Sequence, residues 1–464
     1  MADHYPHHRP KFHISPPRGY LNDPNGPIEL GDVFHLYYQS RSLADMAVPV
    51  EWGHATTTDL VRWRLHRPAM SPLPGGYDSD GCWSGNAVVD GDRVRAYYSG
   101  HIESRPLEHI LTALSDENGA NFGPPTRLLD DPATTEGIRM LRDPFVWTDA
   151  DGWHMAVGSD AADGLAAIRH YRSHDGLDWA YDGHLTELQR GVVGGADTGE
   201  GWECPQIIRV DGREIAVVCS WSFADGPGPV LAFPIDAAPA PHAVDDGHDF
   251  YAPSVLRESS YGPLLFGWIR EGRDEAWWKH EGWAGAISLP RRVWLSPDDA
   301  GDARLCSEPH PALAGLRTGD PRPADGSTLS PQSEIAVPAG TGRVRLRFGA
   351  EEWVDIDLDS AQGTVTIDTD HASTSSRARG GRAVAIDAFD ASSGRPAVRV
   401  FLDGSVIEVF TNAGRSLTTR AYPLSGTAWT LEAPVDAVVW TLATTVETEP
   451  VASVTRPEDV VTVA

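Results

Sequence analysis

Five segments of this chain repeat one design at a step of about 60 residues, and that beat restricts the fold more than any other feature. They begin at Asn25, Gly85, Asp143, Cys204 and Ala252, and each holds a short apolar strand, a turn and a second apolar strand. The turns carry Gly31-Asp32, Asp90-Gly91, Asp151-Gly152, Asp211-Gly212 and Tyr261-Gly262. Glycine beside aspartate is a strong hairpin signal, because glycine accepts a positive φ without a Cβ clash. A unit of this length accommodates a four-stranded sheet. Radial repetition of such sheets gives a β-propeller, in which neighbours protect the short edges. Five beats predict a five-bladed β-propeller over residues 1–300. The 16 tryptophans and 12 tyrosines supply wide side chains to fill the space between blades.

Residues 298–328 change character, with clusters of Pro, Gly and Asp and one short helical possibility at Pro311–Leu316. A linker is expected over 301–325. Beyond it, residues 343–348, 354–358 and 364–367 alternate apolar and polar side chains with period two, as half-buried strands do. The chain is therefore expected to be all-β, a propeller followed by a C-terminal β-sandwich over 326–464 that buttresses it. The polar tail after about Thr445 is expected to be loosely held.

Charge narrows the partners. Lys and Arg number 38 against 66 Asp and Glu, a net charge of −28. A chain this acidic repels phosphate backbones and anionic lipid, so neither nucleic acid nor membrane is expected. A small neutral substrate suits it better than an anionic one, unless a local basic patch offsets the excess. Cys82, Cys204, Cys219 and Cys306 show no zinc or redox spacing. Cys204 reads as a small buried residue without a redox role, since no resolving cysteine lies near it in sequence. The first residues contain no apolar signal region, and the expected location is the cytoplasm. His4, His7, His8 and His13 read as a solvated arm rather than a metal tract.

The repeat also positions three acids. Asp23 lies in Asn22-Asp23-Pro24, Asp143 in Arg142-Asp143-Pro144 and Glu203 in Glu203-Cys204-Pro205, two beats and then one beat apart. Equivalent positions in a radial repeat lie on one ring, so the three are expected to share a phase and converge on one axial funnel. Any one of them alone reads as a turn residue. Three converging carboxylates suit either a hard cation or glycoside hydrolysis, which needs one ionised carboxylate and one protonated carboxyl around an acetal. A dedicated Asp/Asn-rich cation loop is absent from the sequence, and no metal or cofactor is expected.

The ordered motifs resemble the family 32 glycoside hydrolases, which include invertases, other β-fructofuranosidases, inulinases and levanases. The matching stretches are 19–26 around Asn22-Asp23-Pro24, Trp52-Gly53-His54-Ala55, Gly81-Cys82-Trp83-Ser84-Gly85, Arg142-Asp143-Pro144, Trp202-Glu203-Cys204-Pro205, Asp249-Phe250-Tyr251-Ala252-Pro253 and 282–291. In the second domain, 401–410 and Arg420-Ala421-Tyr422-Pro423 are similar to that family's sandwich.

The resemblance implies a retaining β-fructofuranosidase acting on sucrose or short fructo-oligosaccharides. Asp23 would be the nucleophile, Glu203 the acid and base, and Asp143 the stabiliser of the transition state, with Arg142 orienting the acids. Asn22, Gln39, Trp83 and Ser84 would shape the fructose pocket. Trp52 would line the rim or pack, and Trp278 would stack on a sugar beyond the cleaved bond. Fructosyl transfer at the same site and non-catalytic fructan binding are the alternatives. The chain departs from the family pattern at 41–50, which carries no aromatic residue, and at Gln206, where many members have Asp. The sequence carries no signal of oligomeric state.

Overall fold

The computed structural model describes residues 5–448, apart from 42–48, 130–136, 162–164, 190–191, 194–195, 237–240, 298–302, 325, 327, 427 and 434–435. Five antiparallel sheets follow one another along the first two-thirds of the chain. Their first strands are Gly19–Leu30, Gly81–Asp90, Leu141–Asp149, Gly201–Val210 and Phe250–Leu256. Each contacts the next, and the last contacts the first, so the sheets close into a propeller around these inner strands. The turn glycines Gly31, Gly91, Gly152, Gly212 and Gly262 all have positive φ, which is why the beat was readable at these positions. Large apolar side chains pack between adjacent sheets; Phe145, Trp202, Ala216 and Phe233, for example, share one buried cluster.

The first sheet draws on distant parts of the chain. Trp283–Ala284 pairs in parallel with Gly19 and Tyr20 on one side. Val446–Thr448 pairs in parallel with Trp63–Leu65 on the other. The start of the expected loose tail is thus a strand; residues 449–464 lie outside the described residues. The expected linker is also shorter than its sequence suggested. Ala303–Pro309 is the outer strand of the fifth sheet, paired with Arg291–Pro297, because Leu305 and Cys306 bury against that sheet despite the polar residues around them. A 3₁₀ helix does form at Pro311–Leu316.

The sandwich faces a six-stranded sheet centred on Gln332–Val337 and Val398–Asp403 against a five-stranded sheet centred on Glu352–Asp359. Alternate residues such as Val344, Leu346, Ile356, Val400 and Val409 fill the core between them. Full burial of each such side chain is worth about 1.5–3 kcal/mol.

Of the histidines expected in a solvated arm, His4 lies outside the described residues, and His8 and His13 are instead structural. His8 and His13 are both 1 % exposed. His13 Nδ1 lies 2.9 Å from Asp403 and Nε2 lies 3.0 Å from Glu408. The amides of Lys11, Phe12 and His13 also donate to Asp403. Burial disfavours a charge on His13, but the two carboxylates outweigh it and raise its pKa. Glu408 also accepts from Arg291, which reaches Asp245 at 2.9 Å. This buried chain of charges joins the N-terminal segment, the fifth sheet and the sandwich. Among the described residues, no helix is long and apolar enough to cross a membrane, and no group of three His, Cys, Asp or Glu is arranged to hold a metal ion.

Candidate active site

Every inner strand carries a register shift at the same height. The irregularities fall between Leu21 and Pro24, Cys82 and Gly85, Arg142 and Phe145, Glu203 and Gln206, and Tyr251 and Ser254. A bulge bends the strand and re-aims its side chains. Here five bulges turn consecutive residues of each strand toward the axis. At three of them the residue before proline has positive φ: Asp143 (61°), Cys204 (46°) and Ala252 (43°). Left-handed backbone costs a residue with a Cβ about 1–2 kcal/mol, which the surrounding sheet must offset.

The alignment of these bulges corrects the spacing argument. The last paired residue before each shift is Leu21, Cys82, Arg142, Glu203 or Tyr251, and the first residue after it is Asn22, Trp83, Asp143, Cys204 or Ala252. Glu203 therefore sits one residue before the phase of Asp143, which Cys204 occupies, and two before that of Asp23. Its neighbours hold it on both oxygens: the Arg142 guanidinium lies 5.5 Å from the Trp83 ring, Arg142 Nη1 donates to Glu203 Oε1 at 3.0 Å, and Tyr251 Oη donates to Glu203 Oε2 at 2.9 Å.

The two aspartates take different partners. Ser84 Oγ donates to Asp23 Oδ2 at 2.7 Å, and Asn22 Nδ2 donates to Asp23 Oδ1 at 3.1 Å. Gln39 locks both donors: its Nε2 donates to Ser84 Oγ at 2.7 Å and its Oε1 accepts from Asn22 at 2.6 Å. The Gln39 amide donates to Ser84 and Ser84 donates to Asp23, so the first bond polarises the second. Asp143 is buried; its Oδ2 accepts from the Cys204 amide at 2.9 Å, and its own amide donates to Ser99 Oγ at 2.7 Å.

These environments separate the proton affinities. Burial pushes Glu203 up to about 7; the charges of Asp143 and Asp23 add to this, while Arg142 and the Tyr251 hydroxyl oppose it. Burial lifts Asp143 to about 6 against the pull of Arg142 and the Cys204 amide. Burial also raises Asp23, but Ser84, Asn22 and the Arg41 charge favour its ionised form. Burial thus favours a proton on Glu203 near neutral pH, while the donors around Asp23 favour its ionised form. That division suits acid and nucleophile roles.

The other expected site residues divide. Asn22, Gln39, Ser84 and Arg142 join the acids directly. Trp83 is half-buried beside them and stacks on His101 with ring centroids 3.9 Å apart. Trp52 does not line the rim. It is fully buried among Tyr37, Tyr98 and Phe122, and its Nε1 donates to the Trp83 carbonyl at 3.0 Å. Trp278 is on the helix Glu275–Glu281 and buried, with its ring 5.4 Å from that of Tyr20, so it backs Tyr20 rather than presenting an open face.

Tyr251 and Ser99 were not singled out from the sequence. Aligning Tyr251-Ala252-Pro253 with Glu203-Cys204-Pro205 would have exposed Tyr251; Ser99 had no comparable signal. Cys219 also went unmatched with Cys204. It faces Glu203 across the strand pair and shares a thiol hydrogen bond with Cys204. That hydrogen bond and burial hold the Cys204 thiol well above its usual pKa, in keeping with a packing role.

The chain is 28 % identical to the sucrose-6-phosphate hydrolase of Escherichia coli over 455 residues, covering 90 % of this chain and 89 % of that enzyme. It is 28 % identical to the raffinose invertase of Escherichia coli over 458 residues, covering 89 % of each. Its fold is similar to that of a GH32 beta-fructofuranosidase of Bombyx mori (TM-score 0.77, 23 % identity, 95 % of each chain). It is also similar to the sucrose-6-phosphate hydrolase of Lactobacillus gasseri (TM-score 0.79, 21 % identity, 95 % of this chain and 94 % of that one). The model of the glycosyl hydrolases family 32 N-terminal domain matches residues 13–309 and that of the family's C-terminal domain matches 307–440; the chain belongs to this family.

Proposed function

We propose that this protein is a retaining β-fructofuranosidase that releases the terminal fructosyl unit of sucrose or a short fructo-oligosaccharide. The observation that carries this reading is the pairing of Asp23, held by neutral donors beside a guanidinium, with Glu203, pushed up to about 7 by burial. Asp23 attacks the anomeric carbon while Glu203 gives its proton to the leaving oxygen. A covalent fructosyl-enzyme forms and the aglycone departs. Glu203, now ionised, takes a proton from water, which attacks the same carbon and frees Asp23. Two displacements return the original configuration.

In this reading Asp143 binds fructose hydroxyls and stabilises the positive charge that develops on the sugar ring. Arg142 holds Glu203 in place through its 3.0 Å contact. Asn22, Gln39 and Ser84 keep Asp23 oriented and desolvated. Names of relatives support a fructosyl saccharide as substrate: sucrose-6-phosphate hydrolase, raffinose invertase, and a fructan 1-exohydrolase of Cichorium intybus in complex with 1-kestose. We place the enzyme in the cytoplasm, a location that suits its four free, buried thiols.

The test is to incubate the protein with sucrose and 1-kestose, follow the anomer first released by NMR, and repeat with Asp23→Asn and Glu203→Gln. The expected result is initial release of β-fructofuranose, with kcat lowered by several orders of magnitude in both variants. Release of the α-anomer, or near-normal turnover in either variant, refutes the assignment.

A further inference from the structure

A further carboxylate stands beside the three acids and outside every motif. Glu108 ends the connection between the strands Arg93–His101 and His109–Leu114 of the second sheet. Gly100 pairs with His109, so His101 and Glu108 follow that pair at its open end. The Glu108 side chain is 7 % exposed. Its Oε1 lies 3.6 Å from Arg142 Nη2 and 3.7 Å from His101 Nδ1, both beyond hydrogen-bond distance, and its Oε2 is buried without a hydrogen-bond partner. A carboxylate taken out of water is ordinarily held by donors. This one is held by two cations instead.

The row of charges leads to the acid. His101 stacks on Trp83 and also meets Glu103 at 3.4 Å. Burial lowers the pKa of His101, but Glu108 and Glu103 outweigh it and raise it. Burial likewise disfavours the Arg142 charge, while Glu108, then Glu203 and Asp143, favour it more strongly. The same guanidinium donates from Nη1 to Glu203 at 3.0 Å. Arg142 thus stands between two carboxyl groups with different tasks, because Glu203 has to carry a proton beside it. An arginine acting on the acid alone would favour the ionised form and remove the proton that the leaving oxygen needs. A counter-charge on the far nitrogen of Arg142 opposes that effect. The other groups facing Glu203 are Asp143, Asp23 and the Tyr251 hydroxyl, with Cys219 opposite it in the strand pair. Of these, Asp143 also feels the charge of Glu108.

We propose that Glu108 is a positioning residue for the reaction: its carboxylate engages the second terminal nitrogen of Arg142 and takes up part of the guanidinium charge, so that Arg142 orients Glu203 without drawing off its proton. His101, at the other end of the row, moderates Glu108 in turn. This deepens the acid role given to Glu203 and rests on it.

The experiment measures kcat/KM for sucrose from pH 5 to 9 with the intact wild type, Glu108→Gln, Glu108→Asp and His101→Gln. The alkaline limb of this profile reports the acid of the free enzyme, so a lost substrate contact does not move it. Removing the Glu108 charge should move the limb down by about half a pH unit or more, making the loss at pH 8 about threefold greater than that at pH 5.5. Glu108→Asp keeps the charge and should lie between wild type and Glu108→Gln. His101→Gln removes a cation from the row and should move the limb up. Carbon-13 NMR of protein labelled at its glutamate carboxyl groups, with Glu203→Gln to assign the signal, should read the same displacements without turnover. A limb and carboxyl titration unmoved by Glu108→Gln overturn the proposal, whether the variant raises KM, as a substrate contact would, or loses activity equally at every pH, as a structural residue would. Movement in the upward direction overturns it too. Near-normal turnover by Glu203→Gln removes the acid assignment itself, a result distinct from an unmoved limb.

Discussion

Replacing Tyr251 by Phe should move the alkaline limb of the activity profile upward. Tyr251 Oη donates to Glu203 Oε2 at 2.9 Å and favours the ionised carboxylate, while burial pushes Glu203 up to about 7. A hydrogen bond to a charged acceptor contributes about 1.5–3 kcal/mol, and one pKa unit corresponds to about 1.4 kcal/mol. The protonated carboxyl keeps part of that bond, so the lower end of the range applies and the shift is about one unit. Glu203 must be protonated to act on the leaving oxygen, so kcat/KM falls as pH rises through its pKa. The wild-type limb is expected near pH 7 and that of Tyr251→Phe near pH 8. The assay is kcat/KM for fructosyl release, measured from pH 5 to 9.5 at constant ionic strength, with thermal unfolding to verify that the fold survives. An alkaline limb that stays in place, or moves to lower pH, would refute the claim that this phenol stabilises ionised Glu203.

Asp143→Asn should shift the same limb the opposite way, because the charge of Asp143 raises Glu203; kcat should also fall more than KM rises, and an effect confined to KM would reduce Asp143 to a binding role. Glu203→Gln should stabilise the protein at pH 8 by up to about 3 kcal/mol but not at pH 4, since a carboxyl raised from 4.5 to about 7 loses its contribution to folding as pH climbs through that window; denaturant titrations at the two pH values test it, and equal effects at both would contradict it. His13→Ala should cost about 3–5 kcal/mol by leaving buried Asp403 and Glu408 facing each other, and a loss below 1 kcal/mol in calorimetry would show that the cluster is already relaxed. Prolonged EDTA treatment should leave kcat unchanged, and loss of activity restored by a divalent cation would revive a metal role.

What could be read from the residues depended on whether the relevant physics was local. The hairpin glycines, the apolar alternation of the sandwich strands and the Asp-Pro and Cys-Pro steps are local features, and they located the sheets and all three acids. The one-residue offset of Glu203 from Asp143 was present in the sequence too, since Arg142-Asp143-Pro144 aligns with Glu203-Cys204-Pro205, but simple counting of residues concealed it. Nothing adjacent to His13 announces Asp403 or Glu408, so a solvated arm was the natural reading of a histidine-rich start.

The first sheet has an implication for how the molecule comes into being. Its inner strand is flanked by Trp283–Ala284, and its outer strand is edged by Val446–Thr448. Both additions emerge from the ribosome long after the core of that sheet, whose pairing must therefore remain provisional during synthesis. Long-range closure of this kind slows folding and exposes strand edges to stray partners. It also ties the far terminus to the beginning. A chain truncated before residue 446 should leave the outer strand Trp63–Leu65 without its last neighbour, and the damage should appear in the sheet that bears Asp23.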